Sequence, residues 1–102
     1  MVIVTLGNPR EKVWGVVLGL SSEGLSVGGV ELSTFDDLVR MVKDGEPPSS
    51  SVVFFPMHRI ERVELDLADG AVDSLSQRFR NRTGLDAGTL FSRHEENSEE
   101  PR

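Results

Sequence analysis

The run from Ser51 to Leu65 (SVVFFPMHRIERVEL) constrains the fold of this chain more than any other segment. Its first part, residues 52–55, is continuously apolar, which predicts a strand buried on both faces. Pro56 then interrupts the run, because proline cannot donate to a strand ladder and is confined to strand ends, edges and bulges. In the second part apolar residues stand among charged ones, as in a strand at a rim. The run therefore predicts two strands joined by a sharp bend, an arrangement typical of small all-β barrels.

The N-terminal half has the pattern of turn residues and glycines that is typical of short, curled strands. Apolar segments at 2–6, 12–20, 25–27 and 30–32 are separated by turn residues and glycines. Glycines inside such strands permit the bulges and bends that a small barrel needs for closure. These segments and the bent pair together predict a mainly β domain with a strongly bent five-stranded barrel.

Two helices are predicted beside the strands. The first covers residues 34–44, where apolar residues recur at i, i+3, i+4 and i+7 from Phe35. We expect this apolar stripe to cover one open end of the barrel, with a partner-binding face as the alternative. The second helix covers residues 74–83, because Ser74 and Gln77 have the spacing of a capping box and Gly84 follows the last turn.

Length and charge predict one domain, residues 1–92, followed by a disordered acidic tail, residues 93–102. The net charge of the chain is −6, and the tail contributes four glutamates and two arginines, net −2. No segment has the length and apolarity of a membrane helix, and no cysteine is present, so we expect a cytoplasmic protein without disulfides, sulfur-ligated metals or membrane contact.

Catalytic patterns are scarce. His58 is the one histidine outside the tail, and neither a cysteine nor a second histidine in the domain can complete a zinc site with it. No phosphate loop, dinucleotide motif or nucleophile elbow is recognisable. The sequence therefore predicts no enzyme, no cofactor and no metal, and a small enzyme centred on His58 is the least favoured alternative.

The candidate ligand or RNA contacts are His58, Arg59, Arg62 and Trp14. Basic residues beside an aromatic ring are the usual means of holding single-stranded nucleic acid. The acidic balance of the chain opposes this activity, because phosphate binding depends on positive charge. For Trp14, filling the core or an interface is the alternative to stacking on a base.

The segment 2–66 resembles the Sm/LSm family, including its bacterial members. The matching residues are Trp14-Gly15 with Leu25-Ser26-Val27, and Phe55-Pro56-Met57-His58-Arg59-Ile60-Glu61-Arg62-Val63. The resemblance implies a five-stranded, strongly bent barrel that assembles as a ring and binds uridine-rich RNA. The helix at 34–44 would occupy the variable loop of the family.

The RNA-contacting positions of the family are largely replaced here. Ser21 stands where the first signature has an acidic residue, and Pro56-Met57 stand where the second has Arg-Gly. Of the bacterial contact residues only His58 is matched. The leading hypothesis is thus a non-enzymatic, Sm-like homo-oligomeric scaffold or protein-interaction module, with an RNA-binding LSm-type protein as the alternative.

Overall fold

A computed structural model describes residues 1–46 and 51–98 of the chain, with side chains up to residue 92. Residues 47–50 and the last four residues of the predicted tail lie outside the described residues. The elements are β1 (Val2–Leu6), β2 (Glu11–Leu20), β3 (Gly24–Glu31), α1 (Phe35–Lys43), β4 (Ser51–Pro56), β5 (Ile60–Leu65), α2 (Leu75–Thr83) and α3 (Ala87–Ser98). Short 3-10 turns precede α1, at Leu32–Thr34, and join β4 to β5, at Met57–Arg59.

The five strands form one antiparallel sheet in the order β4-β3-β2-β1-β5. The mainly β class and the number of strands are confirmed. The barrel is not, because the sheet is not closed: its order ends at β4 on one side and at β5 on the other. These two edge strands follow each other in the chain, and the turn at Met57–Arg59 carries the backbone from one edge to the other.

Both faces of the sheet are buried, in different ways. One face, here called the helical face, carries Trp14 and Val30 and is covered by all three helices. The other, here called the inner face, carries a cluster of its own, formed by Val2, Val4, Leu6, Val13, Leu25, Val27 and Phe55, with Ile60 packed against it. Because every buried member of this second cluster comes from a strand, the sheet curls around its own side chains.

Helix α1 covers the helical face of the sheet. The sequence had predicted that it would cover the open end of a barrel. Its buried residues Phe35, Leu38 and Val39 pack in one cluster with Trp14 and with Phe79 of α2. The apolar stripe of α1 is part of the core, because the helical face of the sheet is apolar and must be buried against another element. The predicted bounds, 34–44, agree with the observed helix to within one residue at each end.

The prediction that strand 52–55 is buried on both faces is wrong. Phe55 is buried, but Val52, Val53 and Phe54 keep 51%, 40% and 52% of their surface exposed. The reason is topological, since β4 is an edge strand and has a neighbour on one side only. The continuous apolar run of β4 thus belongs to an edge strand, and three of its four side chains remain exposed to solvent in the single chain.

Two further elements differ from the sequence prediction. The segments predicted at 25–27 and 30–32 join in one strand, β3, which ends at Glu31, because Gly28 and Gly29 stay in the ladder. Helix α3 is not among the predicted helices, and its backbone continues to Ser98, inside the segment 93–102 for which the sequence predicts disorder. Asp86 begins this helix by accepting hydrogen bonds from the backbone N–H and the hydroxyl of Thr89.

Candidate functional site

His58 lies in the short turn between the two edge strands, and its side chain is exposed. The backbone N–H of Met57 donates to the carbonyl of Glu23 at 2.8 Å. This bond places the turn beside the hairpin that joins β2 to β3. No hydrogen bond or ion pair to the imidazole is found within the part of the chain that the structure describes.

Arg59 follows His58 but is directed toward the chain itself. Its Nε donates to the carbonyl of Gly7 and its Nη2 to the carbonyl of Pro9, both at 2.9 Å. The guanidinium also lies 3.8 Å from the Glu11 carboxylate. These contacts hold the turn between β1 and β2 against the turn between β4 and β5. Arg59 thereby stabilises the fold at this end of the sheet.

Trp14 is fully buried, and its indole has no exposed face on which a base could stack. The ring meets Phe35 and Phe91 edge-to-face, with centroids 5.2 Å and 5.4 Å apart. Its Nε1 donates to Oδ2 of Asp66 at 3.0 Å. A buried indole N–H needs such an acceptor, so Trp14 and Asp66 belong together as a core pair.

Asp66 accepts four hydrogen bonds. Besides the indole, the backbone N–H groups of Leu75 and Ser76 donate at 2.9 Å and the Ser76 hydroxyl at 2.7 Å. Burial raises the pKa of this carboxyl, but the hydrogen bonds from Ser76, Trp14 and Leu75 together outweigh burial and hold its pKa below the ordinary value. The carboxylate also faces the N-terminus of α2, where negative charge is favoured.

Arg62 lies on β5, on the helical face, because it pairs with Thr5 of β1. Its Nε is 3.4 Å from the carboxylate of Glu64, two residues along the same strand, and both side chains are exposed. The structure thus brings His58 and Arg59 together in one turn and leaves Trp14 in the core. The four residues do not form one cluster.

Metal binding receives no support from the described residues. Among residues 1–46 and 51–98, no group of three histidine or carboxylate side chains is placed so that it could hold a metal ion. His58 stands alone in its turn. No helix among the described residues has both the length and the apolarity that crossing a membrane requires.

Among the described residues, five of the eleven exposed large apolar side chains lie on the two edge strands of the sheet, a feature that the sequence did not reveal. On β4 they are Val52, Val53 and Phe54, and on β5 they are Val63 and Leu65, exposed to 45% and 66%. Val53, Val63 and Leu65 are on the inner face, because they pair with Val27, Val4 and Val2 of its buried cluster. The apolar alternation of β5 was the available sequence signal, but only the sheet order shows that it lies at an edge.

A cleft of about 470 Å³ runs along the β4 edge on the inner face. Its apolar lining includes Val13, Val27, Val53 and Phe55, and the carboxylate-bearing residues Glu11 and Glu31 stand among the lining residues as well. An apolar cleft beside an unpaired strand is suited to an apolar side chain that arrives with another strand.

The fold and these edges define a class: a mainly β protein with an open, five-stranded antiparallel sheet, covered by helices on one face. Comparison of the chain with protein-family models, curated proteins and solved structures found no match.

Proposed function

We propose that this protein is a non-enzymatic, self-associating scaffold with an Sm-like bent sheet, in which β4 of one copy pairs with β5 of the next. The observation that carries the proposal is that, among the described residues, both edges of the sheet lack a strand partner and carry exposed apolar side chains on the inner face, Val53 on β4 and Val63 and Leu65 on β5. Soluble proteins usually protect such edges with charge, proline or a covering element. Arg62 and Glu64 place their charges on the other face of β5, so its inner face stays apolar and open to strand addition.

The two edges are complementary to each other. All four ladders within the chain are antiparallel, and the proposed fifth ladder between copies continues that pattern. Pairing in a register that keeps the inner faces aligned brings Val53 opposite the next copy's Leu65, and Phe55 opposite its Val63. Leu65 would then enter the cleft along β4, where Val53 and Phe55 form part of the lining.

The pairing is heterologous, because different strands of each copy meet. A heterologous contact leaves one free edge at each end of a linear assembly of copies. These free edges disappear when the assembly closes into a ring. A ring is also what the resemblance to the Sm/LSm family implies. Closure would satisfy both edges of every copy without a covering element.

We expect the purified protein to be a multimer at micromolar concentration when measured by size-exclusion chromatography with light scattering. Val63→Lys and Leu65→Lys should each shift it toward the monomer, because a charge on the inner face would be buried at the contact without a partner. The matched control is Leu85→Lys, since Leu85 is 44% exposed and lies between α2 and α3, outside both edge strands. A wild-type protein that is strictly monomeric would refute the proposal.

A further inference from the structure

The segment between β5 and α2, residues 67–73, forms a turn that projects from the end of an edge strand. Its backbone closes on itself, because Asp69 and Val72 exchange two hydrogen bonds of 2.8 Å and 2.9 Å. Asp66 fixes both ends of the turn. It directly follows the last residue of β5, and its carboxylate accepts hydrogen bonds from the first N–H groups of α2. Leu67 and Val72 are nevertheless exposed to 69% and 65%.

A second uncovered apolar surface lies on the helical face of β4. Val52 and Phe54 are half exposed there. They share this face with Gly28, which pairs with Val52 and lies beside the Phe91 carbonyl of α3. The helices therefore cover the neighbouring strands β2 and β3 but leave these two side chains of β4 open.

We infer that the turn 67–73 of one copy packs on Val52 and Phe54 of the next copy. This inference rests on the proposed pairing of β4 with β5. In antiparallel pairing the C-terminal end of β5 comes beside the N-terminal end of β4, where Val52 lies. The turn leaves β5 toward the helical face, because Asp66 points to Trp14 and to the N-terminus of α2.

A second copy is the occupant because both halves of the contact belong to this chain and flank the same proposed ladder. Within one copy both halves stay exposed, and β4 and β5 are not paired with each other because they form opposite edges of the sheet. Edge pairing covers the inner-face side chains Val53, Val63 and Leu65. Packing of the turn covers the helical-face side chains, so the ladder between copies would be enclosed on both faces.

Crosslinking between single-cysteine variants tests the contact directly, and the absence of native cysteine makes every introduced thiol unique. Val52→Cys protein is mixed with Leu67→Cys protein and treated with a short bismaleimide. Val53→Cys mixed with Leu65→Cys reports the edge pairing, and Val52→Cys mixed with Leu85→Cys reports random collision. We expect heterodimers from the first two mixtures and only background from the third.

The outcomes separate the two proposals. Crosslinking of Val53→Cys with Leu65→Cys, but not of Val52→Cys with Leu67→Cys, would overturn the docking of the turn and leave the edge pairing intact. Failure of both mixtures would overturn both. Equal yields in all three mixtures would show unspecific contact and overturn the docking as well.

The double variant Leu67→Asp, Val72→Asp supplies an independent measurement. Both positions are exposed in the single chain, so we expect its circular dichroism and thermal unfolding to resemble those of Leu85→Asp, the matched control. The dissociation constant between copies should rise at least tenfold, measured by sedimentation at graded concentrations. An unchanged dissociation constant in a folded variant would contradict the inference.

Discussion

At the scale of single residues, Asp66 connects the sheet, the core and a helix through one carboxylate. It joins the end of β5 to the buried indole of Trp14, 52 residues away, and to the first turn of α2. Its hydrogen bonds lower its pKa despite partial burial. The capping box of Ser74 and Gln77 at the same helix was predicted and is confirmed. The role of Asp66 was not predicted, because its partner Trp14 is brought to it only by folding.

Replacing Asp66 with asparagine should destabilise the protein by about 2 kcal/mol at pH 7, because an N-terminal cap and charge-assisted hydrogen bonds are weakened together. The folded pKa of Asp66 lies below the unfolded value of about 3.9, so the wild-type carboxylate stabilises the fold above that pH. This contribution is lost as the pH falls toward the folded pKa. The difference in stability between wild type and variant should therefore shrink in acid.

Urea unfolding followed by the fluorescence of the single tryptophan, Trp14, measures this effect at pH 7 and below pH 4. Asp73→Asn, at a nearby exposed position, is the control and should change stability little. Equal destabilisation of the Asp66 variant at every pH would show that the carboxylate contributes no charge-dependent stability.

At the scale of elements, the close approach of β2 and β3 depends on glycine. Gly15 and Gly29 are cross-strand partners, and a Cβ at Gly29 would clash with the Trp14 carbonyl. A Cβ at Gly15 would clash with the Gly28 carbonyl in the same way. The sequence indicated bends at these glycines, but only the structure shows that they sit inside continuous strands. Neither carbonyl can move without breaking the ladder that forms the middle of the sheet.

We expect Gly29→Ala to destabilise the protein by about 2–4 kcal/mol, since backbone atoms in a packed sheet cannot yield as a flexible side chain would. Gly19→Ala is the matched control. A Cβ there would be 3.9 Å from the Cβ of Ser26, an ordinary contact, so its effect should stay within about 1 kcal/mol. Thermal and urea unfolding of both variants measure the difference, and similar stabilities would contradict the close approach.

At the scale of the whole molecule, charge and placement oppose the RNA-binding alternative. The net charge is −6, Trp14 is fully buried and the donors of Arg59 are directed to backbone carbonyls. Self-association needs none of these groups, because it uses the apolar edges. The two hypotheses therefore make opposite predictions for a single experiment at low salt.

We expect no measurable binding of oligouridylate or oligoadenylate at about 50 mM salt, where phosphate contacts are strongly favoured. Fluorescence anisotropy with a labelled oligonucleotide measures it. Binding that weakens with salt and in His58→Ala would support the RNA-binding function instead. Arg59→Ala is the poorer probe, because losing its bonds to Gly7 and Pro9 would disturb the fold.

The sequence by itself determined the features that depend on residues close together in the chain, namely the positions of two helices and of the strands. The periodicity of 34–44 and the capping signals around 74–83 gave two helices, and the apolar segments gave the strands, because hydrophobic period and turn chemistry are local. Helix α3 has its own cap at Asp86, but its apolar residues are too few to form a clear stripe.

Only the tertiary structure decided which strands are edges. The apolar run of β4 predicted burial on both faces, since sequence records the apolarity of a strand but not the number of its neighbours. The order β4-β3-β2-β1-β5 leaves that strand with one neighbour and exposes the side chains that the run contains. Long-range pairing of β1 with β5 creates the second edge. The property on which the proposed function rests is thus a consequence of topology.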